Sequence, residues 1–467
     1  MITNHGMKRS VFTQLITLAW PVVLAFMMQT SYNLIDIFWV GKLGATAIAA
    51  VSLAGNIFYI ILAVGQILGS GTVALVAHAF GAGLIDRANT VIKQSLSVAS
   101  VIALAVSVLG LIYAKEIMFF LGGREDVLAL STTYLRIVFI GFFFQLLSFS
   151  VNYAFRGVGD MIIPMFIMFI ATAINLILDP LLILGLWFFP RLEVQGAAIA
   201  TATAKGFSFL VGFIILLKGR SGIKLKITLP WRMEWSIISR IFKVGVPVGI
   251  SYGLMATSIM VVFGIVAAFS ENALAALGIG TRIFQFASLP VVGIGIATTT
   301  LVGQYLGARD ATGASRTSNT ALLVSMVIMI VFGGLFMINA RSLVMIFTDN
   351  ESVVFHGVQF MRIVAGYLFF VGVSTSLTGV FRGAGYTLPP MFAGLLKVIL
   401  LYSLAIILSR ILQLGVVGVW WAMLTAYAIE SIVIFLWYRN GVWRKKGLEL
   451  LDGLKVARKP SIRYSDR

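Results

Sequence analysis

The chain has 467 residues, 60% hydrophobic and 11% charged, with a formal net charge of +18 and a mean hydropathy of +1.01. Soluble domains are about half apolar and a quarter charged, so this composition excludes an ordinary soluble enzyme or binding domain and points to a polytopic membrane protein. With no cysteine, disulfides and thiolate metal sites are excluded, and the basic excess reads as membrane topology rather than nucleic-acid binding.

A helical span needs about 20 apolar residues. Twelve runs meet that length: 12–39, 46–78, 91–114, 132–155, 162–187, 195–217, 241–268, 272–304, 318–339, 358–381, 388–409 and 414–438. None shows the short alternating segments of a membrane β-barrel, so an all-α integral membrane fold is expected. Met1 to Ser10 is short and polar and leads into a full span, so no cleavable signal is expected.

The twelve spans are one pattern written twice. Phe155-Arg156-Gly157-Val158-Gly159 recurs as Phe381-Arg382-Gly383-Ala384-Gly385, and 381 − 155 = 226. The same offset carries Pro21 onto Pro247, Gly81-Ala82 onto Gly307-Ala308, and Pro164-Met165-Phe166 onto Pro390-Met391-Phe392. Six spans per copy is an even number, so both copies enter from the same side and form a parallel repeat of two pseudo-symmetric six-helix bundles. The expected organisation is an N-lobe over 1–217, a basic linker over 218–240, a C-lobe over 241–440 and a basic tail over 441–467. Lysine and arginine concentrate in the linker and tail, which places both termini on the cytoplasmic side. The Phe-Arg-Gly-x-Gly segments are expected on short inner loops, with glycine for the turn and arginine for topology. A phosphate loop would need a following Lys-Ser/Thr, which neither has.

Two carboxylates break the repeat. Asp36 maps onto Val262 and Asp179 onto Ala405, yet both aspartates sit in strongly apolar runs. A carboxylate within a span is costly and functional by default. Helical spacing aligns Gln29, Tyr32, Asn33 and Asp36 along one stripe of the first span. Asn175 and Asp179 are i and i+4 on the fifth span, ahead of Pro180. Thr201 follows the small residues Gly196-Ala197-Ala198, which permit close helix packing. Asp36, Asn175, Asp179 and Thr201 together would make a cage of hard oxygens, suited to a hard cation or to a proton shared between like charges. Lys205, one turn beyond Thr201, is either a counter-charge to Asp179 or a residue of a separate polar groove. Pro21 removes a backbone hydrogen bond inside the first span and reads as a hinge. In the C-lobe, Lys397 and Glu430 fall at a similar depth on consecutive antiparallel spans, so an ion pair is expected, with a cleft-facing Glu430 as the alternative.

These features resemble the multidrug and toxic compound extrusion (MATE) family. The motifs that carry the resemblance are Pro21, Tyr32-Asn33-Leu34-Ile35-Asp36-x-Phe38-Trp39-Val40-Gly41, Asn175-x-x-x-Asp179-Pro180 and Gly196-Ala197-Ala198-x-Ala200-Thr201, over about residues 10 to 440. The pattern is most similar to the bacterial and archaeal DNA-damage-inducible branch. The resemblance implies antiport across the plasma membrane: amphipathic organic cations leave as H⁺ or Na⁺ enters, by alternating access. It implies that Asp36, Asn175, Asp179 and Thr201 hold the ion, with Tyr134 and Asn152 in the surrounding polar network. No cofactor or enzymatic activity is expected, and the expected state is a monomer in the bilayer. The alternative is a flippase for polyprenyl-linked saccharides. It is disfavoured because Lys205, Lys397 and Arg282 are the only basic residues expected within the membrane, and such a flippase should line its cleft with arginines.

Overall fold

The computed structural model describes residues 10–225 and 233–456. Among these there are thirteen α-helices and no strand. Six form one bundle: α1 (Val11–Gly41), α2 (Ala45–Gly81), α3 (Ile85–Phe120), α4 (Glu125–Val158), α5 (Ile162–Leu184) and α6 (Glu193–Lys218). Six form the other: α7 (Trp235–Ala267), α8 (Glu271–Gly307), α9 (Ala311–Met345), α10 (Glu351–Gly383), α11 (Leu388–Ile406) and α12 (Gly415–Arg439). Each bundle supplies six helices long and apolar enough to span a bilayer, which gives the expected twelve. Several overrun their apolar cores. α3 extends beyond 91–114 at both ends because Arg87 and Glu116 continue its helix, and a helix does not end where hydrocarbon ends.

Large apolar side chains cover the outside, among them Ile338, Ile112 and Met260. In water such a surface would be an aggregation hazard; in lipid it is solvated. Within each bundle the core is built from tightly packed small and branched residues, such as Ala99, Leu146 and Ala154 in the first and Ala273, Leu368 and Ala426 in the second. The bundles meet through equivalent elements: α1 packs on α8, and α7 packs on α2.

That junction is tight at one end only. A Cβ added at Gly81 would lie 2.0 Å from the Gln304 carbonyl oxygen, and one at its repeat-equivalent Gly307 would lie 2.3 Å from the His78 carbonyl oxygen. The α2 and α8 backbones therefore touch at the end that carries the interlobe linker. At the opposite end, a Cβ at Gly55 or Gly278 would meet nothing within 4 Å among the described residues. The lobes thus meet backbone to backbone at the linker end, whereas the positions beside Gly55 and Gly278 at the other end are open.

One expectation changes. The Phe-Arg-Gly-x-Gly segments are not loops: Phe155 to Val158 form the last turn of α4, and Phe381 to Gly383 the last turn of α10. The chain turns only afterwards, at Gly159 (φ +87°) and Gly385 (φ +68°), in a backbone region that glycine enters without strain. The basic tail carries structure of its own. Its described part forms α13 (Val442–Val456), with Trp443, Gly447, Leu451 and Leu454 buried on one face and Arg444, Lys445 and Lys446 exposed on the other. Gly447 lies against Leu306 of α8, and Asp452 pairs with Arg309 at 2.5 Å, so α13 underlies the closed end.

Candidate functional site

α1, α5 and α6 converge through a small apolar cluster of Val40, Ile183, Val194 and Ala197. Gly196 permits that approach, since a Cβ there would meet the Leu182 carbonyl carbon at 2.5 Å. Asp36, Asp179 and Thr201 each lie one helical turn from a member of this cluster, so packing brings all three to one depth. The Asn175 amide donates to Asp179 Oδ1 at 2.9 Å, and both residues are buried. The Tyr32 hydroxyl donates to Thr201 Oγ1 at 2.8 Å. Asp36 and Asp179 are close enough for their charges to act on each other, and Tyr134 lies within reach of both.

The oxygen cage is incomplete as a hydrogen-bond network. Asp36 Oδ1, Asp179 Oδ2 and Asn175 Oδ1 are buried with no hydrogen-bond partner. Buried acceptors left unpaired cost about 1–3 kcal/mol each, more when charged, unless something supplies a proton or a cation. No three His, Asp or Glu side chains cluster among the described residues, so a hard cation here would draw on the neutral oxygens of Asn175 and Thr201 as well as on the two carboxylates.

The other N-lobe polar residues lie outside this cage, and Asn152, 18 residues beyond Tyr134 on α4, sits toward the other end of that helix. Lys205 is buried and makes no ion pair with either aspartate; its Nζ sits 5.2 Å above the Tyr32 ring. Gln29 donates to Asn33 Oδ1 at 3.1 Å, and Asn33 is exposed. Asn152 contacts Ser148 on α4, at 3.4 Å. Pro21 is buried, and α1 runs through it as a single helix.

In the C-lobe the positions equivalent to Asp36, Asn175 and Asp179 are Val262, Leu401 and Ala405, all buried and apolar. Its polar pair lies elsewhere. Lys397 Nζ is 3.0 Å from Glu430 Oε2, and the two side chains are 13% and 7% exposed. The same Nζ lies 4.6 Å over the Tyr427 ring. Both residues also line the cavity between the lobes, so pairing and a cleft-facing position coexist. Removing one partner strands a buried charge, so Lys397→Met or Glu430→Gln alone is expected to cost about 3–5 kcal/mol, seen as a lowered unfolding temperature in detergent. The double variant should recover most of that loss; no recovery would mean that the pair contributes no coupling.

The interlobe cavity has a volume of about 370 Å³. Its apolar wall includes Phe26, Met255, Phe284 and Tyr427. Neither aspartate lines it. Two lining residues were missed by sequence reasoning, Arg156 and Arg382, while Arg282 is exposed and does not line the cavity. The available signal was that the two arginines are repeat-equivalent, 226 residues apart; positive-inside topology explained both equally well.

The MatE family profile matches residues 21–181 and 247–408, one match in each lobe, beginning at the two repeat-equivalent prolines. The chain belongs to the MatE family. Family membership makes it a multi-pass membrane transporter and not an enzyme. It is 27% identical to the probable multidrug resistance protein YoeA of Bacillus subtilis over 97% of this chain and 98% of that one. It is 29% identical to the FAD transporter of Shewanella oneidensis over 71% of this chain and 73% of that one. Its fold matches a MATE structure solved in a bent conformation, with a TM-score of 0.85 at 24% identity, covering 95% of this chain and 96% of that one.

Proposed function

We propose that this MatE transporter is a secondary exporter of amphipathic organic compounds, driven by H⁺ or Na⁺ entering through the N-lobe carboxylates. The observation that carries this reading is the set of unpaired buried oxygens on Asp36, Asn175 and Asp179. A proton or Na⁺ would satisfy them, and an ion-filled cage packs α1 against α5 and α6 differently from a charged, empty one. α1 also packs on α8 of the other lobe, so the same helix that holds Asp36 contributes to the closed end of the cavity. Ion binding and access are thereby linked through one element, as coupling between two sites requires. The aromatic side chains of the wall, Phe26, Phe284 and Tyr427, suit the apolar body of an amphipathic compound.

The test is efflux from proteoliposomes loaded with a cationic or an anionic fluorescent dye, with pH and Na⁺ gradients imposed separately. Export of either dye driven by one of the two gradients supports the reading; export of neither under either gradient overturns it. In the same assay Pro21→Ala, which restores a helical hydrogen bond to α1, is expected to slow export several-fold without weakening dye binding. Pro247→Ala should be milder, because Val262 replaces the carboxylate in α7. Equal losses in both would make the prolines purely structural.

A flippase for polyprenyl-linked saccharides is the second reading, favoured by Arg156 and Arg382 in the cavity wall. A volume of about 370 Å³ suits a drug-sized compound better than a lipid-linked oligosaccharide.

A further inference from the structure

The charge of the cavity wall is not that of a cation receptor. Arg156 and Arg382 come from the last turns of α4 and α10 and reach the cavity from opposite lobes. Among the described residues neither takes part in a salt bridge, and Arg156 Nε is buried with no hydrogen-bond partner. Each guanidinium lies over a tyrosine: Arg156 is 5.3 Å from the Tyr153 ring centroid and Arg382 is 5.6 Å from that of Tyr252. Tyr153 is in turn within electrostatic reach of Tyr252 and of both arginines, so the four side chains form one cluster straddling the lobe boundary. Glu430 is the sole acidic residue lining the cavity, and Lys397 holds it. The lining therefore carries two uncompensated positive charges.

Two such charges of one sign in a cleft with largely apolar walls favour the entry of an anion. Guanidinium forks match the paired oxygens of phosphate, sulfonate or carboxylate groups, and the flanking tyrosines keep the forks oriented. Toward Phe26, Phe284 and Tyr427 the wall becomes aromatic, which suits a flat apolar body.

We propose that Arg156 and Arg382 form an anion-binding subsite, so that the cargo is an amphipathic aromatic compound carrying a phosphate, sulfonate or carboxylate group. The proposal rests on the exporter reading only in taking this cavity as the cargo cavity. Because the clamp is shared between lobes, bound cargo would hold the closed end together.

The test uses binding alone, with no ion gradient, so that a failure of antiport does not touch it. Three pyrene probes with the same ring and linker carry a phosphate, a hydroxyl or a trimethylammonium group, and their fluorescence anisotropy is followed with purified protein in lipid-free detergent. The phosphate probe should bind at least about tenfold more tightly than the other two, as charge-assisted hydrogen bonds allow. Arg156→Gln and Arg382→Gln should each remove most of that preference. Both should still bind the hydroxyl probe, which shows that the cavity is intact, and Arg→Lys at either position should retain part of the preference. Equal binding of all three probes, tightest binding of the trimethylammonium probe, or Arg→Gln variants that keep the phosphate preference would overturn the proposal. Repeating the titration in nanodiscs with and without phosphatidylglycerol separates a soluble anion from a lipid headgroup. Unchanged preference supports soluble cargo, and loss of preference only with the anionic lipid overturns it in favour of a lipid site.

Discussion

Asp36→Asn and Asp179→Asn are each expected to abolish ion-driven export while leaving the protein folded. The change is nearly isosteric and replaces a carboxylate with a neutral amide, so packing of α1, α5 and α6 is preserved while the proton or Na⁺ loses its ligand. Asp179 is fully buried and bonded to Asn175, so its amide would keep one oxygen for that contact. What disappears is the leverage of the ion on cargo affinity, which for linked sites is typically about 5–150-fold. Efflux under a full pH or Na⁺ gradient should fall to that of protein-free liposomes, while cargo binding, measured without a gradient, persists and no longer responds to pH or Na⁺. Normal gradient-driven efflux in both variants would remove the ion site from the N-lobe. Loss of cargo binding in either would instead indicate that the aspartates act on the cavity itself.

The second large effect concerns the closed end. Gly81→Val and Gly307→Val place branched side chains where even a Cβ would collide with the backbone of the opposite lobe, at Gln304 and His78. Backbone cannot yield as a side-chain tip does, so the lobes must part. Overpacking of this kind costs about 1–3 kcal/mol. A cost of that size shifts a two-state equilibrium by about 5–150-fold, so the population should move toward a form open at the linker end. The chain has no cysteine, so spin labels can be placed without background at Asp86→Cys and Thr312→Cys, two exposed repeat-equivalent positions on that face. The label distance should lengthen in both valine variants and stay constant in Gly55→Ala and Gly278→Ala, whose surroundings are empty. An unchanged distance in the valine variants would mean that the junction relaxes locally.

Features that depend on period and offset were legible in the sequence. Twelve apolar runs gave twelve spans, and the 226-residue register pairs elements that are equivalent in space, such as α1 with α7 and Gly81 with Gly307. The Asn175–Asp179 contact follows from i, i+4 spacing, and the Lys397–Glu430 contact from depth on two consecutive antiparallel helices. What was not legible depends on helix rotation about its axis within the assembled lobes. Arg156 ends an inner helical turn, where positive-inside topology already accounts for an arginine; only the packing of α4 against α2, α3 and α6 turns it toward the cavity. Lys205 shares a face with Thr201, yet the Tyr32 ring intervenes, and no spacing rule on α6 reveals a ring from α1. The amphipathic face of α13 was hidden by its charge: a run of lysines and arginines reads as solvated tail unless Trp443, Leu451 and Leu454 are aligned at helical period.

Under the proposed coupling, the one-sided placement of the carboxylates also sets how voltage would enter the cycle. With Val262, Leu401 and Ala405 filling the equivalent positions, the C-lobe offers no second carboxylate site of this kind. If one monovalent ion enters as a monovalent cation leaves, the exchange is electroneutral and the membrane potential contributes nothing. If the departing cargo is a monovalent anion, the same turnover moves the equivalent of two positive charges inward. Each is worth about 2.3 kcal/mol per 100 mV. Two therefore support an accumulation ratio on the order of 10³ at 100 mV before any ion concentration gradient is counted. Under that stoichiometry the guanidinium pair, as much as the aspartates, decides whether export is electrogenic.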